Sequence, residues 1–123
     1  MSDKKTLSKA EIFNSARRKP EPVEVPEWGG VVHVRPLTAG ERDQFESSNV
    51  RVGPDGKPSV DMTNYRARLV CLAACDEKGK RLFVDDDANE IGRQDAAAVD
   101  RVFEAAQRLN GMGAKASEEI RKN

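Results

Sequence analysis

Val23-Glu24-Val25-Pro26-Glu27-Trp28-Gly29-Gly30-Val31-Val32-His33-Val34-Arg35-Pro36-Leu37 consists of two short β-type runs on either side of the chain's only tryptophan and a glycine pair. Val23 and Val25 flank Glu24, and Val32 and Val34 flank His33, so each run, when extended, offers one apolar face. The glycines supply positive φ for a reversal, which makes the stretch a β-hairpin. Pro26 is compatible with that reading at a bulge or on an edge strand, so the hairpin should keep an open edge. Trp28 is either an exposed anchor or the lid of the local core, and a small core with few aromatics favours the lid.

Working toward the N-terminus, Ser8 and Glu11 have capping-box spacing for a short helix whose apolar residues are Ile12, Phe13 and Ala16. Lys19-Pro20-Glu21-Pro22 stops it, because proline cannot continue the helical ladder. Residues 1–22 therefore read as a helical arm and linker. The basic run Arg17-Arg18-Lys19 suits a helix C-terminus and needs no ligand.

Toward the C-terminus, Thr38 and Glu41 form a second capping box and predict a helix of about ten residues. Arg51 to Val60 gathers two Gly and two Pro around Asp55-Gly56, the pattern of a mobile loop or protruding hairpin. Asp61 to Cys75 carries Met62, Tyr65, Leu69, Leu72 and Ala73 at helical spacing and reads as the main core helix. Arg81 to Val84 either adds a short strand or simply extends across the core, and Asp85 to Gly92 is a short acidic helical turn. Asp95 caps a final helix with Val99, Val102, Phe103, Ala106 and Leu109 on one face, ending at Asn110-Gly111 in a left-handed cap. Residues 114–123 have only Ile120 as an apolar anchor and read as a flexible tail. The expectation is α+β: one small domain, residues 23–113, with an N-terminal β-hairpin packed on a bundle of about three to four helices and flexible helical termini.

The 123 residues fit one domain, and 25 Val, Ile, Leu and Phe make its core thin. Twenty-one basic and 21 acidic side chains balance, which argues against wholesale disorder and removes the electrostatic reason for a nucleic-acid partner. No run is long and apolar enough for a membrane span, and the first residues lack a secretory pattern, so a cytoplasmic location is expected. Cys71 and Cys75, four apart, should share a helical face as small buried hydrophobes.

Chemistry finds little purchase. His33 is the only histidine, and the two thiols lack a Cys-x-x-Cys knuckle, so no metal site is assigned. A thiol on an apolar helix has its pKa raised, which works against a cysteine nucleophile. Asp85, Asp87 and Asn89 alternate as calcium-loop ligands do, but Glu90 replaces the turn glycine and Ala96 the final acid. Gly29-Gly30 has neither a P-loop lysine nor dinucleotide spacing, so no cofactor is implied. No catalytic residue is assigned. Ile12, Phe13, Trp28, Val102 and Phe103 are the candidate partner-binding anchors.

The order of pieces matters more than any one of them. Val25-Pro-Glu-Trp-Gly-Gly30, Val34-Arg-Pro-Leu-Thr38 with Glu41, Asp76-Glu-Lys-Gly-Lys80 with Leu82-Phe83, and Phe103-Glu-Ala-Ala-Gln-Arg-Leu-Asn-Gly111 follow one another between residues 8 and 123. This pattern resembles the tail assembly chaperones of long-tailed bacteriophages and prophages. The resemblance implies a non-catalytic protein of the host bacterial cytoplasm that binds and solubilises the tape measure protein and is absent from the mature virion. It also implies a ribosomal frameshift near the end of the gene, giving a longer form that recruits tail-tube protein; Lys122-Asn123 is compatible with an A-rich slippery site. Self-association is a further contact such a surface allows. The competing reading is a virion structural protein, such as a head-tail connector or minor tail component.

Overall fold

The computed structural model describes residues 4–112. Helix α1 (Lys9–Phe13) opens the described chain with the Ser8/Glu11 capping box formed in both directions, and buries none of its residues. The expected tail, 114–123, lies outside the described residues, as do residues 1–3 and 113.

Strands β1 (Glu21–Val25) and β2 (Gly30–Val34) form the expected antiparallel hairpin, with Val23 opposite Val32 and Val25 opposite Gly30. The reversal is a single 3-10 turn, Pro26–Trp28, closed by Gly29 at φ +74°. Proline leads this turn because its fixed φ suits a first helical position. Gly29 alone takes the left-handed conformation; Gly30 begins β2. Strand β5 (Ala74–Cys75) extends the hairpin to three strands in the order β1-β2-β5, leaving β1, with Pro22 in it, at the edge.

Thr38 and Glu41 cap helix α2 (Ala39–Ser48) as their spacing predicts. The following Gly/Pro segment is a second hairpin, β3 (Val50–Val52) with β4 (Pro58–Val60). Helix α3 (Tyr65–Ala73) is shorter than the sequence pattern at both ends. Asn64 sits before it in the left-handed region at φ 53°, and Met62 is an exposed loop residue rather than part of the core stripe. At the other end Arg35 takes the helix's last free carbonyls: its backbone N–H donates to Ala73 O at 3.0 Å, and its guanidinium donates to Leu72 O. With its terminal carbonyls satisfied the helix can stop. Ala74 and Cys75 then pair with Val34 and His33. Cys71 and Cys75 consequently do not share a helical face, although both are buried and free as expected.

Arg81 to Val84 crosses in extended form, Leu82 N–H donating to Ala74 O at 3.1 Å, and leads into a 3-10 turn (Asp85–Asp87) and helix α4 (Ala88–Ile91). Gly92 follows, and a Cβ there would stand 2.7 Å from Asn64 Oδ1, so a larger residue would have to displace the Asn64 side chain. Asp95 caps helix α5 (Ala96–Leu109) by accepting from Ala97 and Ala98 N–H. Gly111 takes the left-handed φ of +64° just beyond its end. The fold is thus α+β, a single small domain with five described helices and two small antiparallel sheets.

The core lies between the hairpin, α3 and α5. Val25 and Val34 point into it from the sheet, Leu69 and Val70 from α3, and Val99 and Val102 from α5. Phe45, Tyr65 and Phe103 run as an aromatic file beside it, with ring centroids 5.3 and 5.6 Å apart. Two ion pairs fix the hairpin along α5: Glu21 with Arg108 near the helix end, and Glu27 with Arg101 near its middle. The chain from 21 to 27 therefore runs from the C-terminal end of α5 toward its N-terminal half.

Candidate functional site

The five candidate anchors separate into two environments. Phe13 is 75% exposed and Ile12 52% exposed on the unburied helix α1. Lys9 stands over the Phe13 ring, 5.9 Å from its centroid, without covering it. Val102 and Phe103, by contrast, are 0% and 7% exposed, so in this conformation they are core side chains out of a partner's reach. Their helical spacing is what a core stripe and an amphipathic binding face have in common, and packing against the hairpin and α3 decides between them.

Trp28 falls between these cases at 38% exposed. Its ring forms one wall of a groove of about 380 Å³, with Phe83 and Ile91 as the other apolar contributors and Asp87, Glu90 and Gln94 on the polar side. Leu82 and Val84, on either side of Phe83, are exposed. The acids are placed by local structure: Asp87 Oδ2 accepts from Val84 N–H at 2.9 Å, and Glu90 pairs with Arg93 at 2.9 Å. Asp85 pairs with Arg81 at 3.0 Å. The lining of the groove includes two acids, Asp87 and Glu90, and no basic side chain, so its polar side is acidic.

A second unclaimed apolar surface is the β3–β4 ribbon. Val50 stands opposite Val60 and Val52 opposite Pro58, placing all four on one face. The other face carries Arg51 and Ser59, with Arg51 paired to Asp61. Val52 and Val60 are each 70% exposed. The alternation is visible in the sequence as Val50-Arg51-Val52 and Pro58-Ser59-Val60, but the dense Gly/Pro punctuation obscures it.

One structural cluster had no sequence signal beyond its two ends. Arg35, only 8% exposed, donates from Nη1 and Nη2 to the Glu41 carboxylate at 3.1 and 2.8 Å, and from Nε and Nη2 to Leu72 O. Glu41 Oε1 also accepts the Thr38 N–H at 2.9 Å, so the capping-box acid doubles as the partner of a buried arginine. The Arg35 guanidinium holds the Glu41 pKa down to about 2. Asn110 makes a parallel tie, its Oδ1 accepting from Leu37 N–H at 2.7 Å and its Nδ2 donating to Ala106 O. Together they lock the start of α2 to the ends of α3 and α5.

Reactive chemistry has poor footing here. His33 and Cys75 are register partners across β2 and β5. Burial raises the pKa of the Cys75 thiol and of Cys71, against thiolate formation. Cys71 Sγ donates to Val84 O at 2.9 Å. Among the described residues no three His, Cys, Asp or Glu side chains are grouped to hold a metal ion.

A family model described as phage tail assembly chaperone matches residues 9–123. This chain belongs to the phage tail assembly chaperone family. The match includes helix α1 of the arm, both hairpins and every helix of the core. No curated protein and no solved structure matches the chain. Among the described residues of this chaperone, most exposed large apolar side chains fall at the arm, around the Trp28 groove and on the β3–β4 ribbon, with Val31 and Met62 outside them. No described helix is long and apolar enough to cross a membrane.

Proposed function

We propose that this chaperone binds the tape measure protein of its phage while the tail is built, keeps that client in solution in the host cytoplasm, and is left out of the finished particle. The role is non-catalytic. Family membership over residues 9–123 carries the reading, and the distribution of exposed apolar side chains supports it. Phe13, Ile12 and Trp28 offer separate shallow contacts rather than one deep pocket, an arrangement suited to weak multivalent hold on a long client.

Co-expression with the tape measure gene tests the proposal. The client should shift from the pellet to the soluble fraction, and Phe13→Ser with Trp28→Ser should reverse much of that shift. Unchanged client solubility would remove the chaperone role for this client. Mass spectrometry of purified particles separates the virion-component reading, since a structural protein would be present there in ring stoichiometry. A longer frameshifted form that recruits tail-tube protein requires a slippery heptamer near the end of the gene, which its nucleotide sequence settles.

A further inference from the structure

Two grooves meet at the end of α4. One, of about 400 Å³, lies between α3 and α5, with Met62, Tyr65 and Phe103 among its apolar residues. The other is the groove of about 380 Å³ beside Trp28 and Phe83. Ile91 and Gln94 line both, so the two form one track, with Met62 in one half and Trp28 in the other. Met62 and Trp28 are exposed, and Ile91, which the halves share, is buried.

The charges along this track are one-sided. Asp87 and Glu90 line the Trp28 half, with no cation in that lining. In the Met62 half Arg66 pairs with Asp100 at 3.0 Å and lies over the Phe103 ring, 5.7 Å from its centroid. Both side chains of that pair reach solvent, so the pair is weak and a competing cation can take the place of Arg66 on Asp100. The lining residues come from α3, α4, α5, the 3-10 turn at Trp28 and the connecting segments, and none from a strand. An extended chain laid in the track would find no ladder for its backbone N–H and C=O groups, whereas a helix satisfies its own.

We propose that the track holds an amphipathic helical segment of the client whose apolar stripe is flanked by lysine or arginine, with apolar side chains entering on both sides of Ile91 and the cations facing Asp87, Glu90 and Asp100. The assignment rests on the client reading above, and adds to it the surface used and the chemistry selected. Anchors at i, i+3 or i+4, and i+7 are how a helix lies in such a groove. The acidic lining supplies discrimination, because a stripe of the same apolar content flanked by glutamate is repelled.

Two synthetic helical peptides of about 18 residues, roughly five turns, test it. They share one leucine stripe and differ only in the flanking residues, lysine in one and glutamate in the other, and neither contains tryptophan. Titrated into the full chain at low salt, the lysine peptide should move the emission of Trp28, the sole tryptophan, to the blue. It should bind roughly tenfold tighter than the glutamate peptide, and about 0.5 M salt should narrow that gap. Glu90→Lys with Gln94→Lys should weaken lysine-peptide binding about tenfold. Met62→Ser removes an apolar contact at the far half and should weaken it about fivefold. Arg66→Ala removes the one cation of the lining and should strengthen it about threefold. These four side chains are exposed, and Glu90→Lys alone serves if the double change disturbs folding. Equal affinity for the two peptides, unchanged affinity in the Glu90/Gln94 and Met62 variants, or weaker binding by Arg66→Ala would each overturn the proposal. So would variants that alter association between copies in sedimentation while leaving peptide affinity unchanged, since the track would then belong to a second copy. In co-expression, a client solubilised equally well by the track variants would remove the track and keep the chaperone role. Lysine-peptide binding by a protein that leaves the client insoluble would remove the client and keep the track as a site for a different cationic helix.

Discussion

Replacing Glu41 with glutamine should cost stability at neutral pH and cost progressively less in acid. The carboxylate accepts two hydrogen bonds from Arg35, whose side chain is only 10% exposed, and a third from the Thr38 N–H. Glutamine keeps the size and can keep the cap, but leaves a buried guanidinium without its counter-charge. Folding lowers the Glu41 pKa from 4.5 to about 2. The ionised group therefore favours the folded state above pH 4.5, and that contribution fades as pH falls through about 2. The full shift corresponds to about 3 kcal/mol; solvent screening of the partly exposed carboxylate reduces it to ~2 kcal/mol. Urea titrations of wild type and Glu41→Gln at several pH values from 7 down to 3 measure the difference. The gap should be ~2 kcal/mol at pH 7 and narrow steadily below pH 4.5. Glu11, Glu27, Asp61 and Asp76 are also held below their usual values, so the wild type alone would mix several titrations, and the difference isolates Glu41. A gap that stays constant from pH 7 to 3 would refute the argument that the charge, rather than the shape, of this side chain matters.

Other positions give independent tests. Leu69→Ala removes a fully buried side chain from the centre of the core and should lower unfolding free energy by about 2–5 kcal/mol in denaturant titration. Asn110→Ala leaves the Leu37 N–H without its 2.7 Å acceptor and should cost about 1–3 kcal/mol, read in the same way. Cys71 and Cys75 should react with a thiol reagent only as fast as the protein opens, so labelling should accelerate sharply once urea reaches the unfolding transition.

Local rules carried most of the fold. Both capping boxes, the Asp95 cap, the left-handed Gly111 and the hairpin at Trp28 follow from short-range chemistry that a few neighbouring residues determine. The end of α3 escaped them because it depends on Arg35, 37 residues away from its acceptor Leu72, and Ala74-Cys75 has no strand character apart from its partner β2. The same limit applied to the candidate site. Val102 and Phe103 have the same periodicity whether a helix faces solvent or core, so only packing reveals that they are covered. Phe83 and Ile91 join Trp28 in the groove through contacts between distant segments, whereas the exposure of Phe13 follows from an arm that proline cuts off from the domain.

Pro22 sits in the outermost strand of the main sheet. It has no N–H to offer, and its neighbours Glu21 and Glu24 bring negative charge to the same border. An incoming extended chain would find the ladder broken one residue after it begins, so this border is a poor seed for fibril-like growth. For a domain with so many uncovered valines the distinction matters. At this border, contact with another chain is left to side chains, which can let go, rather than to backbone pairing, which tends to spread.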